Sequence, residues 1–121
     1  MDSEALKKRT KDFALRVLKL VAALPKSVEG KAIANQIVRS GTSIAANYRA
    51  ACRARSKAEF VSKLGIALEE ADETQLWLEL IVAAEILPSA RVQPLLAEAN
   101  ELVAILVTSR KSAVANLKSA I

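Results

Sequence analysis

Four carboxylates fall within five consecutive positions, at Glu69, Glu70, Asp72 and Glu73. Crowded acids of this kind can hold a metal or move protons. Carboxylate di-metal helix bundles, however, complete their sites with Glu-x-x-His pairs, and this chain of 121 residues has no histidine and no comparable second acidic pair. The lone cysteine, Cys52, allows neither an internal disulfide nor a thiolate zinc site, and reads as a small side chain for helix packing. No nucleophile, base and orienting group can be assembled, so the expectation is a non-enzyme with no metal and no cofactor. The acids are then expected to pair with Arg39 or other cations of the second helix, within the bundle or across subunits. Trp77 is left as either a core filler or an interface anchor.

The second chemically useful group is basic. Arg49, Arg53, Arg55 and Lys57 follow one another closely, with Arg39 and Lys63 on either side. Arg49 and Arg53, four residues apart, share a helix face and can present guanidinium groups to successive phosphates. Charge is polarised along the chain. Residues 1–63 hold 14 Lys/Arg against 5 Asp/Glu, residues 64–121 hold 4 against 8, and the net charge is +5. Such a chain can attract RNA or DNA with one surface, or pair with copies of itself through opposite surfaces; lysines that merely solvate helix faces are the plainer alternative.

The elements that must position these residues are helices. Hydrophobic residues make up 52%, glycine and proline number three each, and 23 alanines and 16 leucines dominate. The punctuation predicts four helices in a single domain over residues 1–121. The first runs from Ser3, as N-cap, to Leu24, stopped by Pro25, with Phe13, Val17, Leu20 and Leu24 as its seam. The second runs from Glu29 to Ala54 with a seam of Ile33, Ile37, Ile44 and Tyr48. The third opens on a capping box at Ser56 and Glu59 and ends near Leu87, before Pro88. Its seam is Phe60, Leu64, Ala67, Leu68, Ala71, Leu78 and Val82. The fourth starts between Ser89 and Pro94 and runs towards Lys118. Long helices with short connections predict an all-α, antiparallel up-down-up-down four-helix bundle. Arg16 and Lys19 interrupt the apolar run from Phe13 to Leu24, and no stretch reaches the ~18 apolar residues of a spanning helix. The expected location is cytoplasmic, without a membrane partner.

Gln36, Ser40, Ser43 and Asn47 fall at intervals of four, three and four, one polar stripe of small side chains on the second helix. Beside them Gly41 costs about 1 kcal/mol relative to alanine and predicts close approach of another backbone. The stripe is therefore expected to pack against protein, with the acidic run Glu69, Glu70, Asp72 and Glu73 as its counterpart and Glu70 and Glu73 as packing candidates; an ordinary solvated face is the alternative. The fourth helix carries a second apolar row, Leu96, Val103, Val107 and Val114, which is either a subunit interface or a wide core-facing sector.

These residues resemble a bacterial four-helix-bundle family named after 23S rRNA intervening sequences. The resemblance is carried by Gln36, Arg39, Ser40, Ser43, Ile44 and Asn47, by Arg55, Ser56, Lys57, Glu59 and Phe60, and by Leu64, Ala67, Glu70 and Glu73. Phe13 and Pro25 also fall where the family places an aromatic and a turn proline. Where many members continue Ile-Ala-Glu-Gly after the asparagine, this chain has Tyr48-Arg49-Ala50-Ala51, exchanging an acid for a basic segment. The resemblance implies a left-handed bundle that assembles as a ring-like homopentamer. A related accessory determinant of diversity-generating retroelements binds nucleic acid and a reverse transcriptase, which implies RNA, DNA or a nucleic-acid-handling protein as partner. Two functions follow as expectations: a nucleic-acid-associating oligomer, or an adaptor homo-oligomer whose arginines serve subunit contacts.

Overall fold

The computed structural model describes residues 1–119; residues 120–121, which the single-domain expectation includes, lie outside them. Four helices and no strand make up the described chain: α1 (Ser3–Ala22), α2 (Val28–Cys52), α3 (Lys57–Ala83) and α4 (Ser89–Ser119). They pack as a bundle in which α1 touches α2 and α4, α3 touches α2 and α4, and the diagonal pairs do not meet. The seam between α1 and α4 is the sparsest of the four.

Local chemistry explains each boundary. The α1 N-cap is Asp2 rather than Ser3, its carboxylate accepting the Ala5 N–H at 2.8 Å. An ionised acceptor also suits the positive end of the helix dipole, which a serine hydroxyl serves less well. Ser27 caps α2 by accepting from Gly30 N, and Ser56 caps α3 by accepting from Glu59 N at 3.0 Å. Of the expected capping box this is the half that forms; the Glu59 carboxylate faces Arg55 Nε, 3.9 Å away. The end of α3 comes four residues before the expected Leu87. Glu85 takes a left-handed φ of 55°, Ile86 N donates to Ile81 O and Glu85 N donates to Val82 O. These two bonds are a Schellman closure, built on a residue that is not glycine. α4 starts at Ser89, the early limit of the expected range, so Pro94 lies inside its second turn.

The core follows the predicted seams closely. Phe13, Val17, Leu20 and Leu24 are buried, as are Ile37, Ile44, Tyr48, Leu64, Ala67, Ala71 and Leu78. Ile33, Phe60, Leu68 and Val82 are half-buried at its margin, while Val61 and Ile81 take inward positions that the predicted seam lacked. Trp77 is half-buried against the core, with its indole N–H out of solvent and unpartnered. Gly41 is a close-approach position of a different kind from that expected. A Cβ there would stand 2.9 Å from both Val17 Cγ atoms, so a side chain of α1, not a backbone, occupies the space.

Candidate functional site

The polar stripe of α2 divides on folding. Ser40 is completely buried, with its hydroxyl 2.8 Å from Thr74 Oγ1 of α3. Thr74 Oγ1 also reaches Glu70 O at 2.8 Å. Ser43 and Asn47 are half-buried, but they bond within their own helix: Ser43 Oγ donates to Arg39 O and Asn47 Nδ2 donates to Ser43 O. Gln36 is exposed. Of the four, Ser40 packs against α3, Ser43 and Asn47 bond within α2, and Gln36 is exposed on the single chain.

Arg39 lies beside this stripe and reaches both acids expected of it. Its guanidinium contacts Glu70 at 3.0 Å and also Glu73. Both carboxylates hold its charge in place and raise its pKa, the Glu73 hydrogen bond most strongly. Arg39, included with the basic set on sequence grounds, is therefore engaged within the bundle. Among the described residues no cluster of three or more His, Cys, Asp or Glu is arranged to hold a metal.

The remaining basic residues gather where α2 ends and α3 begins. Arg49, Arg53, Arg55 and Lys57 are all exposed, and Lys63 is half-buried. Arg49, Arg53, Lys57 and Lys63 make no ion pair among the described residues, and Arg55 has only the long contact to Glu59. An exposed i, i+4 pair at that distance contributes a few tenths of a kcal/mol at most. Two clefts flank this end of α2. One, of about 510 Å³, runs between α1 and α2 and is lined by Glu4, Lys7, Lys8, Lys11, Thr42 and Arg49, among others. The other, of about 460 Å³, is lined by Ser3, Tyr48, Cys52, Arg55, Lys57 and Phe60, among others.

Lys7, Lys8 and Lys11 are the members that sequence reasoning missed. Lys7 and Lys11 are four apart and share a face, but placing that face beside Arg49 requires the α1–α2 register set by Val17 on Gly41. Within α1, Lys7 pairs with Glu4 at 3.0 Å and Lys8 with Asp12 at 2.7 Å. These are local surface pairs that a polyanion can displace cheaply. Tyr48 closes the second cleft from below. Burial, and then the adjacent Cys52 thiol, push its phenol above the ordinary value.

The second row of α4 is similarly split. Leu96 and Val103 pack on the core margin, whereas Val107 and Val114 line a groove with Leu68 and Arg110. No helix among the described residues is long and apolar enough to cross a membrane.

The family model for the 23S rRNA-intervening sequence protein matches residues 3–108 of the chain. A crystal structure of a protein of unknown function from the S23 ribosomal protein family, from Bacteroides thetaiotaomicron VPI-5482, superposes with a TM-score of 0.84. The two sequences are 36% identical, over 92% of this chain and 99% of that one. No curated protein matches the chain.

Proposed function

We infer the function from one premise: the chain belongs to the 23S rRNA-intervening sequence protein family. We propose that it is a non-catalytic, cytoplasmic nucleic-acid-associating oligomer, its four helices running antiparallel in a left-handed bundle and its copies forming a homopentamer. The antiparallel course is supported by pairings in opposite order along the helices, Gln75 with Asn100 and Gly65 with Arg110. The polyanion role rests on one observation above the others. Arg49, Arg53 and Lys57 are exposed at one end of the bundle and make no ion pair among the described residues, while Arg39 is paired with Glu70 and Glu73. Repetition of that end around a ring multiplies a modest patch into a broad positive field.

Binding of this kind uses phosphates and is weakly sequence-specific, since four aromatic residues in the whole chain leave little for base stacking. The test is a mobility-shift series over salt with duplex DNA and with single-stranded RNA, alongside native mass. Affinity should fall with log salt by about 0.9 per neutralised phosphate on duplex DNA. The triple variant R49E/R53E/R55E should lose retention of both probes with its mass unchanged. If the oligomer itself dissociates, the arginines belong to subunit contacts and the adaptor function takes precedence.

A further inference from the structure

Two helix faces present leucines that nothing among the described residues covers. On α1, Leu15 and Leu18 are 54% and 45% exposed; on α3, Leu76 and Leu80 are 49% and 40% exposed. The α1 face is a stripe of Lys8, Lys11, Leu15, Leu18, Lys19 and Ala22, all exposed. The α3 face is Glu69, Asp72, Leu76, Glu79, Leu80 and Ala83, also all exposed. Both stripes step by three, four, three, one and three residues, so the two surfaces have the same helical geometry with opposite charge. Asp12, the acid bordering the α1 stripe, is held by Lys8 at 2.7 Å. Because α1 and α3 are the diagonal pair and share no contact, the stripes cannot satisfy each other within one chain.

We propose that the basic leucine stripe of α1 on one copy docks against the acidic leucine stripe of α3 on a second copy. This rests on the self-assembly part of the function proposed above and identifies the surfaces that perform it. Burying four exposed leucines supplies the attraction. The charges decide orientation. Two α1 stripes face to face would oppose lysines, and two α3 stripes would oppose carboxylates, so a two-fold contact through either stripe alone is disfavoured. The contact is instead head-to-tail: each copy uses one stripe on each neighbour, and the chain of contacts ends only when a ring closes. Arg49, Arg53, Arg55 and Lys57 lie outside both stripes and stay available to a polyanion, whereas Lys8 and Lys11, which line the cleft beside Arg49, belong to both surfaces.

The test compares the full-length wild-type chain with K11E/K19E, E69K/E79K and the fourfold variant, by light scattering after gel filtration and by native mass spectrometry. All four positions are exposed, and circular dichroism verifies that each variant remains helical. The expected wild-type mass is a multiple of 13.0 kDa. Each double variant should dissociate, with at least a tenfold weaker association, and the fourfold variant should recover the wild-type mass. A wild-type mass of one chain overturns self-assembly altogether. An assembled wild type whose mass survives both double reversals leaves self-assembly standing and overturns these surfaces, as does a fourfold variant that stays dissociated. Sedimentation of the wild type with vesicles containing phosphatidylserine, lost in K11E/K19E while the oligomer persists, assigns the α1 stripe to a lipid surface and overturns the docking.

Discussion

Ser40 Oγ and Thr74 Oγ1 meet 2.8 Å apart, both residues wholly out of solvent, and tie α2 to α3 at mid-bundle. Thr74 has a second partner in Glu70 O, whereas Ser40 has Thr74 alone among the described side-chain bonds. The two sides of the pair should therefore respond unequally. T74V strands a buried hydroxyl and should cost about 1–3 kcal/mol, while S40A leaves Thr74 bonded and should cost about 1 kcal/mol. Removing both hydroxyls in S40A/T74V should cost less than the sum. Urea unfolding of the four proteins measures this; strict additivity would mean that the hydroxyls do not interact.

Gly41 and Val17 form a second contact that only the folded chain explains. G41A adds a methyl 2.9 Å from both Val17 Cγ atoms, which are β-branched, fully buried and unable to swing aside. Overpacking of this kind costs about 1–3 kcal/mol, more than the ~1 kcal/mol gained in helix propensity. The expected result is a lowered thermal midpoint for G41A, recovered in part by G41A/V17A. A G41A protein as stable as wild type would show that the packing cost does not exceed the ~1 kcal/mol gained in helix propensity.

The sparse α1–α4 seam depends on a bidentate ion pair. Arg9 Nε and Nη2 each donate to Glu98 at 2.7 Å, and Nη2 also reaches Glu101 at 3.0 Å. The hydrogen bond from Arg9 leads the effects that hold the Glu98 carboxyl below its ordinary value. A group whose pKa is depressed on folding stabilises the native state above its unfolded pKa and loses that contribution as pH falls towards the folded value. Stability should accordingly be flat at neutral pH and decline on acidification below about 4.5. E98Q should be less stable at pH 7 and show a shallower acid decline, by denaturant titration at several pH values.

At Glu85 the backbone adopts φ 55° to close α3, a conformation that a side chain opposes and glycine does not. E85G should raise stability by up to about 1 kcal/mol without altering native mass, read from its unfolding midpoint. A destabilised E85G would mean that the extra freedom glycine gives the unfolded chain outweighs the relieved strain.

Much of this protein is written in one dimension. Helix number, the end of α1 before Pro25, the start of α3 after Ser56, and the buried seam through Phe13, Val17, Leu20 and Leu24 follow from spacing and from the few residues that start or stop helices. A pairing of the α3 acids with Arg39 or another cation of α2 was legible for the same reason; that Arg39 makes it, and within one chain, came from packing. Exchange of Ser3 for Asp2 as the α1 cap, and the early end of α3 at Glu85, were not legible: competing caps a residue apart differ by a fraction of a kcal/mol. Larger matters waited for the tertiary structure. Helical periodicity says which residues share a face, but not which face meets which neighbour or at what height. Packing alone put Lys7 and Lys11 beside Arg49, divided buried Ser40 from exposed Gln36, and set the leucine stripes of α1 and α3 on opposite sides of the bundle.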